Sequence, residues 1–356
     1  MAFSITAYDR RARARADLRM GLPVALAGEN GVLLVAAVET LTAARLAEMR
    51  AFGPVQVALT KWRAETLSAP AYDTDLVRIE ATAEASIHWF HAMGDPSLDL
   101  AMPIKGPFRF VRDGGADHHR AALQLCKDAG LLPAIAAVET DATPNALLSL
   151  RSEDFESPAH PSPMDLISSA RVPLHVAKNS RVHVYRKQDG GEEHYAIEVG
   201  SPARDKPVLS RLHSACFTGD LMGSLKCDCG AQLQAALHQI GHEGAGVLLY
   251  LNQEGRGIGL ANKMRAYSLQ DQGFDTVEAN HRLGFEDDER DFRLGAEILR
   301  GLGFSATRLM TNNPAKVARM EETGISVAER VPIRVGETHE NKGYLETKAR
   351  KSGHIL

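Results

Sequence analysis

GVLLYLNQEGRGIGLANKMRAYSLQDQG, residues 246–273, decides the fold. Its first six residues form an apolar run of strand length, bounded by residues that favour turns. Glycines at 255, 257 and 259 interrupt it, and a helical stretch follows over roughly 259–272. Strand, glycine loop and helix in succession are the building unit of an α/β domain. Upstream lie strand-like RVHVYR (181–186), HYAIEV (194–199) and PVLSRLHS (207–214), then a helix near 229–242. Downstream, a helix over 288–301, strand ATRLMT (306–311) and a helix over 313–323 repeat the alternation.

The first half of the chain has the same character. PVALAGE (23–29) and VLLVAAVE (32–39) flank a turn at Asn30-Gly31, followed by a helical pattern at 41–51 and strand VQVALT (55–60). HHRAALQLCKDAG (118–130) reads as a helix stopped by Gly130 and runs into PAIAAVE (133–139). Between the halves, SEDFESPAHPSPMD (152–165) holds three prolines and three serines and reads as a connector. The expected architecture is α/β (α+β) in two domains, each a mixed sheet with packed helices. The expected divisions are 1–150, a linker over 151–169, a second domain over 170–340 and a flexible tail over 341–356.

The 356 residues are 44% hydrophobic and 24% charged, values of a soluble globular protein. Forty-one basic residues oppose forty-five acidic ones, and no basic block marks a nucleic-acid partner. No apolar stretch of eighteen residues exists to span a membrane, and the arginines near the N-terminus precede no signal-like run. A cytoplasmic home is the expectation. Four cysteines are too few for a disulfide framework in a chain this long.

Three of those cysteines, Cys216, Cys227 and Cys229, fall within fourteen residues, and Cys126 stands apart. Soft thiolates suit zinc. A structural zinc closes with four protein ligands, whereas a catalytic one keeps three and leaves room for water. No further cysteine lies in the region, and His213 is the nearest competitor for the fourth place. The bland alternative is a set of ordinary buried thiols. An open site with water made nucleophilic near pH 7 points to hydrolysis.

Two stretches suit phosphate. Gln253–Gly259 lets backbone approach a ligand, and Arg256 adds a planar fork of donors, although a plain strand-to-helix turn reads equally well. Thr311-Asn312-Asn313-Pro314-Ala315-Lys316 stands where a strand ends and a helix begins; by itself it is a capped helix with a solvated lysine. The acidic run Asp287–Asp291 reads as a solvated helix start, and Tyr267 as half-buried packing.

RLHSACFTGDLMGSLKCDCGAQL (211–233), QEGRGIGLANKMRAYSLQDQGFDTVEANHRLGF (253–285), DDERDF (287–292) and LMTNNPAKV (309–317) together resemble the GTP cyclohydrolase II family, over about residues 170–356. The resemblance implies that Cys216, Cys227 and Cys229 hold one zinc, activating water against C8 of guanine, with loss of formate. It implies that Tyr267 assists at that carbon, that Arg290 attacks the α-phosphate as pyrophosphate departs, and that Asp288 accepts a proton. An always-charged guanidinium makes a better stabiliser of phosphate charge than a nucleophile. Arg211, Gln232, Glu254, Gly255, Arg256, Thr276, Thr311 and Lys316 become substrate contacts. Magnesium would accompany the triphosphate. A homodimer and the first step of riboflavin biosynthesis follow from the same resemblance.

Two positions depart from that family's pattern. Its glutamate before the first zinc cysteine is Ala215 here, and its arginine before Gln-Glu-Gly-Arg is Asn252. Loss of an acid and a base together implies that the two positions pair. The departures keep open a related ring-opening hydrolase acting on another nucleotide, such as UMP. A non-catalytic nucleotide-binding or structural zinc protein is the alternative from another class.

The N-terminal half is similar to 3,4-dihydroxy-2-butanone 4-phosphate synthase through DLRMGLPVALA (17–27) and DHHRAALQLCKDAGLLPAIAAVE (117–139). His118 and Glu139 fall at functional positions of that family. Its acidic metal-binding run is replaced by AGENGVLL (27–34), which implies a degenerate domain kept for structure or assembly, or else a second activity making dihydroxybutanone phosphate.

Overall fold

The computed structural model describes residues 4–28, 31–141, 143–156, 164–341, 350, 353 and 355. The expected turn residue Asn30 and most of the expected tail lie outside the described residues. Two compact units emerge: residues 1–160 with 261–288, and residues 161–260 with 289–356.

The first unit is built on a seven-stranded sheet in the order β5-β4-β3-β6-β2-β1-β7. Its strands are β1 (Val24–Gly28), β2 (Gly31–Ala37), β3 (Gln56–Thr60), β4 (Leu76–Glu80), β5 (Arg109–Phe110), β6 (Ala134–Thr140) and β7 (Ser149–Arg151). Every neighbouring pair is antiparallel except β1 with β7. Helices α1 (Ala7–Arg19), α2 (Ala43–Arg50), α3 (Lys61–Thr66), α4 (Ile87–Gly94), α5 (Asp117–Asp128) and α6 (Glu153–Glu156) complete the N-terminal part. Apolar side chains alternate to both faces of the central strands. Leu33, Val35 and Ala37 join α1 and α5, while Ala36 and Val38 join α2 and α4.

The second sheet runs β14-β13-β11-β12-β10-β9-β8. It comprises β8 (Met164–Arg171), β9 (Ser180–Lys187), β10 (Glu193–Val199), β11 (Val208–Ser214), β12 (Gly246–Leu251), β13 (Ala306–Met310) and β14 (Ser326–Val331). Strands β8, β9, β10 and β12 pair antiparallel in succession, whereas β12, β11, β13 and β14 are parallel. Four helices fill the rest of the C-terminal half: α7 (Cys229–Glu243), α8 (Leu260–Asp271), α10 (Arg293–Gly301) and α11 (Pro314–Glu322); the short α9 (Thr276–Arg282) lies between α8 and α10. Among the described residues no helix is long and apolar enough to cross a membrane.

Both sheets are mixed and carry helices, as expected. The divisions differ in two respects. Residues 164–169, expected within the linker, form most of strand β8 of the second sheet; 157–163 lie outside the described residues. Residues 261–288, expected within a continuous second domain, belong to the first compact unit. The expected helix over 288–301 begins only at Arg293; Phe292 is its N-cap without a side-chain cap bond, and Asp291 just before it accepts from the Arg293 N–H at 3.0 Å.

Candidate functional site: a thiol cluster at the ends of parallel strands

In a parallel sheet all carboxyl ends face one edge, and a crevice opens where neighbouring strands send their connections in opposite directions. Strands β11 and β13 meet this condition. The chain leaves β11 through α7 to β12 on one side, then crosses back to β13 and on to β14 on the other. Arg211 straddles the crevice: its guanidinium donates to the Met310 carbonyl at 2.9 Å and to Gln232 Oε1 at 2.6 Å. Burial lowers its pKa to about 10, still charged at neutral pH, and its Nε is buried with no partner.

Lys316 donates to the Leu212 carbonyl at 3.2 Å and is buried. It is no solvated lysine, because α11 starts against β11. Asn313 caps that helix by accepting from Ala315 N–H at 2.9 Å, and Thr311 Oγ1 accepts from Asn313 N–H at 3.0 Å. Arg290 reaches Ser214 Oγ at 3.4 Å and lies 4.9 Å from the centre of the Phe292 ring; Lys316 lies 5.1 Å from the same ring. Three cations thus stand around the end of β11, with the Asp220 and Asp228 carboxylates acting on Arg211 beside them.

Directly after β11 the chain makes a single π-type turn (217–221), swings out, and returns at Cys227 to open α7 at Cys229. The ligand-capable sulfurs of Cys216, Cys227 and Cys229 all lie within 4.8 Å of one another, with Cys216 Sγ 3.6 Å from Cys227 Sγ. Sulfurs about 2.3 Å from a tetrahedral zinc stand about 3.8 Å apart, so the spacing fits that ion. Contact with Cys216 raises the pKa of both Cys227 and Cys229, the penalty of crowding thiols that a cation reverses. Gly219 makes the approach possible: a Cβ there would lie 2.9 Å from Cys227 Sγ and 3.0 Å from Cys216 Sγ.

The turn is held by Asp220. Its carboxylate accepts from Cys216 N–H at 3.0 Å, from Tyr250 OH at 3.0 Å and from His213 Nε2 at 2.9 Å. His213 is therefore committed elsewhere, and among the described residues it does not join the sulfur cluster. Desolvation lowers its pKa against the opposing pull of Asp220.

The loop after β12 packs onto this turn. The Glu254 carboxylate accepts from Phe217 N–H at 2.6 Å and from Gly255 N–H at 3.1 Å. Gly255 and Arg256 are both left-handed, at φ 63° and 61°, an unusual state for an arginine. Gly257 permits close backbone contact, since a Cβ would stand 2.7 Å from the Glu289 carbonyl carbon. Arg211, Cys216, Cys227, Cys229, Gln232, Glu254, Gly255, Arg256, Arg290, Thr311 and Lys316 all belong to the second unit. Tyr267 on α8, Thr276 at the start of α9, and Asp288 belong to the first unit.

A model of the GTP cyclohydrolase II family matches residues 166–332. A GTP cyclohydrolase-2 from Azospirillum brasilense is 44% identical over 361 residues, spanning 97% of this chain and 93% of its own. The chain belongs to the GTP cyclohydrolase II family. Another member, from Actinobacillus succinogenes, is 58% identical over 168 residues, 47% of this chain and 77% of its own. A solved two-domain 3,4-dihydroxy-2-butanone 4-phosphate synthase from A. baumannii is 18% identical and covers 85% of this chain and 93% of its own, at a TM-score of 0.31. That superposition is too loose to assign anything.

As a member of the family the protein is a hydrolase, and its family works on GTP in riboflavin biosynthesis. Sequence reasoning overlooked Gly219, Asp220 and Tyr250, which hold the cysteine turn. A glycine and an acid between two candidate ligands were the available signal. His118 and Glu139 meet at a separate cavity of about 1260 Å³ in the first unit, together with His119, Asp117 and Arg151. Gly28 makes room there, because a Cβ would sit 2.4 Å from His118 Cε1.

Proposed function

We propose that the protein opens the imidazole ring of GTP at C8 by hydrolysis, releasing formate and pyrophosphate and leaving a diaminopyrimidinone ribosyl phosphate. Cys216, Cys227 and Cys229 hold one zinc ion. Zinc, when bound, supplies the Lewis acidity that makes water nucleophilic near neutral pH. The observation that carries the reading is the pairing of a three-thiol cluster, whose nearest histidine is bound to Asp220, with three cations at the same strand end.

Each side chain then has a task. Arg211, Arg256 and Lys316 take the phosphates, as charged donors with directed hydrogens do. Arg290, beside Ser214 at the end of β11, stabilises the charge on the α-phosphate as pyrophosphate leaves. Asp288 accepts a proton, and Tyr267 assists at the ring carbon. Gln232, Glu254, Gly255, Thr276 and Thr311 orient the nucleotide, and magnesium enters with the triphosphate. The enzyme works as a cytoplasmic homodimer.

The test is mass spectrometry of products formed from GTP and, in parallel, from UMP, with zinc and magnesium supplied. Formate and pyrophosphate are expected from GTP alone, with turnover lost on chelation and restored by zinc. Intact GTP, or ring opening of UMP instead, overturns the reading.

A further inference from the structure

The segment 261–288 lies inside the family-model match yet is built into the first unit. Its α9 is seven residues long, and isolated helices of that length are marginal in water. The N-terminal part grips the segment at both ends. At the start, the Asn262 side chain donates to the Gly130 carbonyl at 3.2 Å. Arg265, two positions before Tyr267, donates to Glu39 at 2.9 Å and lies 3.3 Å from Asp95. Glu39 is fixed in turn, because its other oxygen accepts from Leu132 N–H at 2.8 Å.

At the far end, Thr60 Oγ1 donates to the Gly284 carbonyl at 2.7 Å in a buried contact. Gly284 is left-handed, and a Cβ would lie 2.9 Å from Pro133 Cγ and 3.0 Å from Thr60 Oγ1. The ring of Trp62 stacks on His281 at 3.8 Å and 9°. His281 Nε2 bonds the Asp287 carboxylate at 2.7 Å, and Asp287 adjoins Asp288. A chain of contacts thus runs from Trp62 to the backbone beside the proposed proton acceptor.

We infer that Glu39, Thr60 and Trp62, all outside the family-model match, are positioning residues for the reaction, holding the segment that carries Tyr267, Thr276 and Asp288. The inference rests on the roles proposed above for those three. On this account the N-terminal half acts as the frame of a catalytic segment, whatever its own cavity does.

The experiment uses the full-length zinc-loaded chain with Trp62→Ala, Trp62→Phe, Thr60→Val and Glu39→Gln. It reads kcat and KM for GTP together with amide hydrogen exchange. Trp62→Ala is expected to speed exchange in peptides from 261–288 while β6 stays protected, and to lower kcat about tenfold. Trp62→Phe, which keeps a stacking ring, is expected to restore most of both. Thr60→Val and Glu39→Gln should give the same pattern at smaller size. Unchanged exchange over 261–288 in Trp62→Ala overturns the inference, as does faster exchange there with kcat within twofold of the parent. Tyr267→Phe is read separately: full activity in that variant sinks the tyrosine's role, whereas the exchange signature reports on the grip alone.

Discussion

The two units gather charge in different ways: the first around a polar cavity rich in carboxylates, the second around a strand end where cations and carboxylates are interleaved. The first unit's cavity is lined by Asp117, Glu139, Asp141 and Glu153 against Arg151, with His119 held neutral by burial. The second unit's strand-end crevice gathers Arg211, Arg290 and Lys316 around the thiol cluster. Topology explains part of the contrast. Parallel β11, β12 and β13 deliver three loops to one edge, so residues as far apart in sequence as 211 and 316 converge. The antiparallel strands around the first cavity alternate direction and supply it from strand ends of both polarities. On the reading proposed above, the arginines and the lysine of the second unit are the groups that receive a triphosphate.

The sharpest way to break that contrast is one substitution on each side. Cys227→Ser is expected to cost at least about 10³-fold in GTP turnover, because on the proposed reading it removes one of the three ligands of the zinc that would acidify water. Glu139→Gln, in the acidic cavity, is expected to leave turnover within about twofold, since a carboxylate among other carboxylates has no phosphate to hold. Formate release and metal content by mass spectrometry check both. Equal losses would mean that the two hollows are not functionally separate.

Asp220 comes next. It touches no sulfur through its carboxylate but fixes Cys216 through the backbone, Tyr250 and His213 at once. Asp220→Asn keeps the shape and loses the charge, and residues that orient metal ligands typically cost about 10–100-fold in metal affinity or activity. Competition of the purified variants with a zinc chelator measures it. An affinity equal to the parent's would show that the turn is held by Gly219 and the chain alone.

What could be read from residues alone follows the range of the interactions. The strand–glycine loop–helix at 246–271 and the spacing of Cys216, Cys227 and Cys229 are local patterns, and they appear where expected. Taken by itself the stretch at Lys316 reads as a solvated helix start, because the lysine's partner, the Leu212 carbonyl, is 104 positions away. The same holds for the Thr60–Gly284 contact across 224 positions, which moves 261–288 into the first unit. Helix α1 escaped notice for another reason. AYDRRARARADLR has no apolar stripe and buries only Ala14 and Leu18; a capping box between Thr6 and Asp9 starts it. Strand β8 hid behind prolines and serines, and being almost wholly exposed it needs no hydrophobic alternation.

Acid should strain both units alike, which makes pH a test of likeness where the earlier variants test difference. His119 in the first and His194 in the second both have pKa values lowered to about 4, chiefly by desolvation. A histidine with a depressed folded-state pKa takes up protons more readily when unfolded. Its stabilising neutrality is intact above pH 6.5 and is lost as pH falls from there towards 4. Each is expected to withdraw about 2 kcal/mol between pH 7 and pH 5. Urea melts at the two values, with His119→Gln and His194→Gln, measure it. A parent slope that neither substitution flattens would remove these histidines from the account.

The smallest expected effect concerns the two positions where this chain departs from its family's pattern. Ser214 and Leu251 are register partners on parallel β11 and β12, so Ala215 and Asn252 are the next pair along the same edge, both half-buried. Ala215 N–H donates to the Leu251 carbonyl at 2.8 Å, and the Asn252 side chain donates to the Glu193 carbonyl at 2.6 Å. An acid at 215 and a base at 252 would face one another across one strand spacing, whereas either alone is a half-buried charge with no matching partner. Ala215→Glu by itself is expected to lower GTP turnover by about fivefold, roughly 1 kcal/mol, and Ala215→Glu with Asn252→Arg to recover most of it. A double-mutant cycle on kcat/KM with GTP isolates the coupling. Additive effects would mean that the acid and the base were lost independently, and that the cationic crevice, rather than this pair, sets the choice of nucleotide.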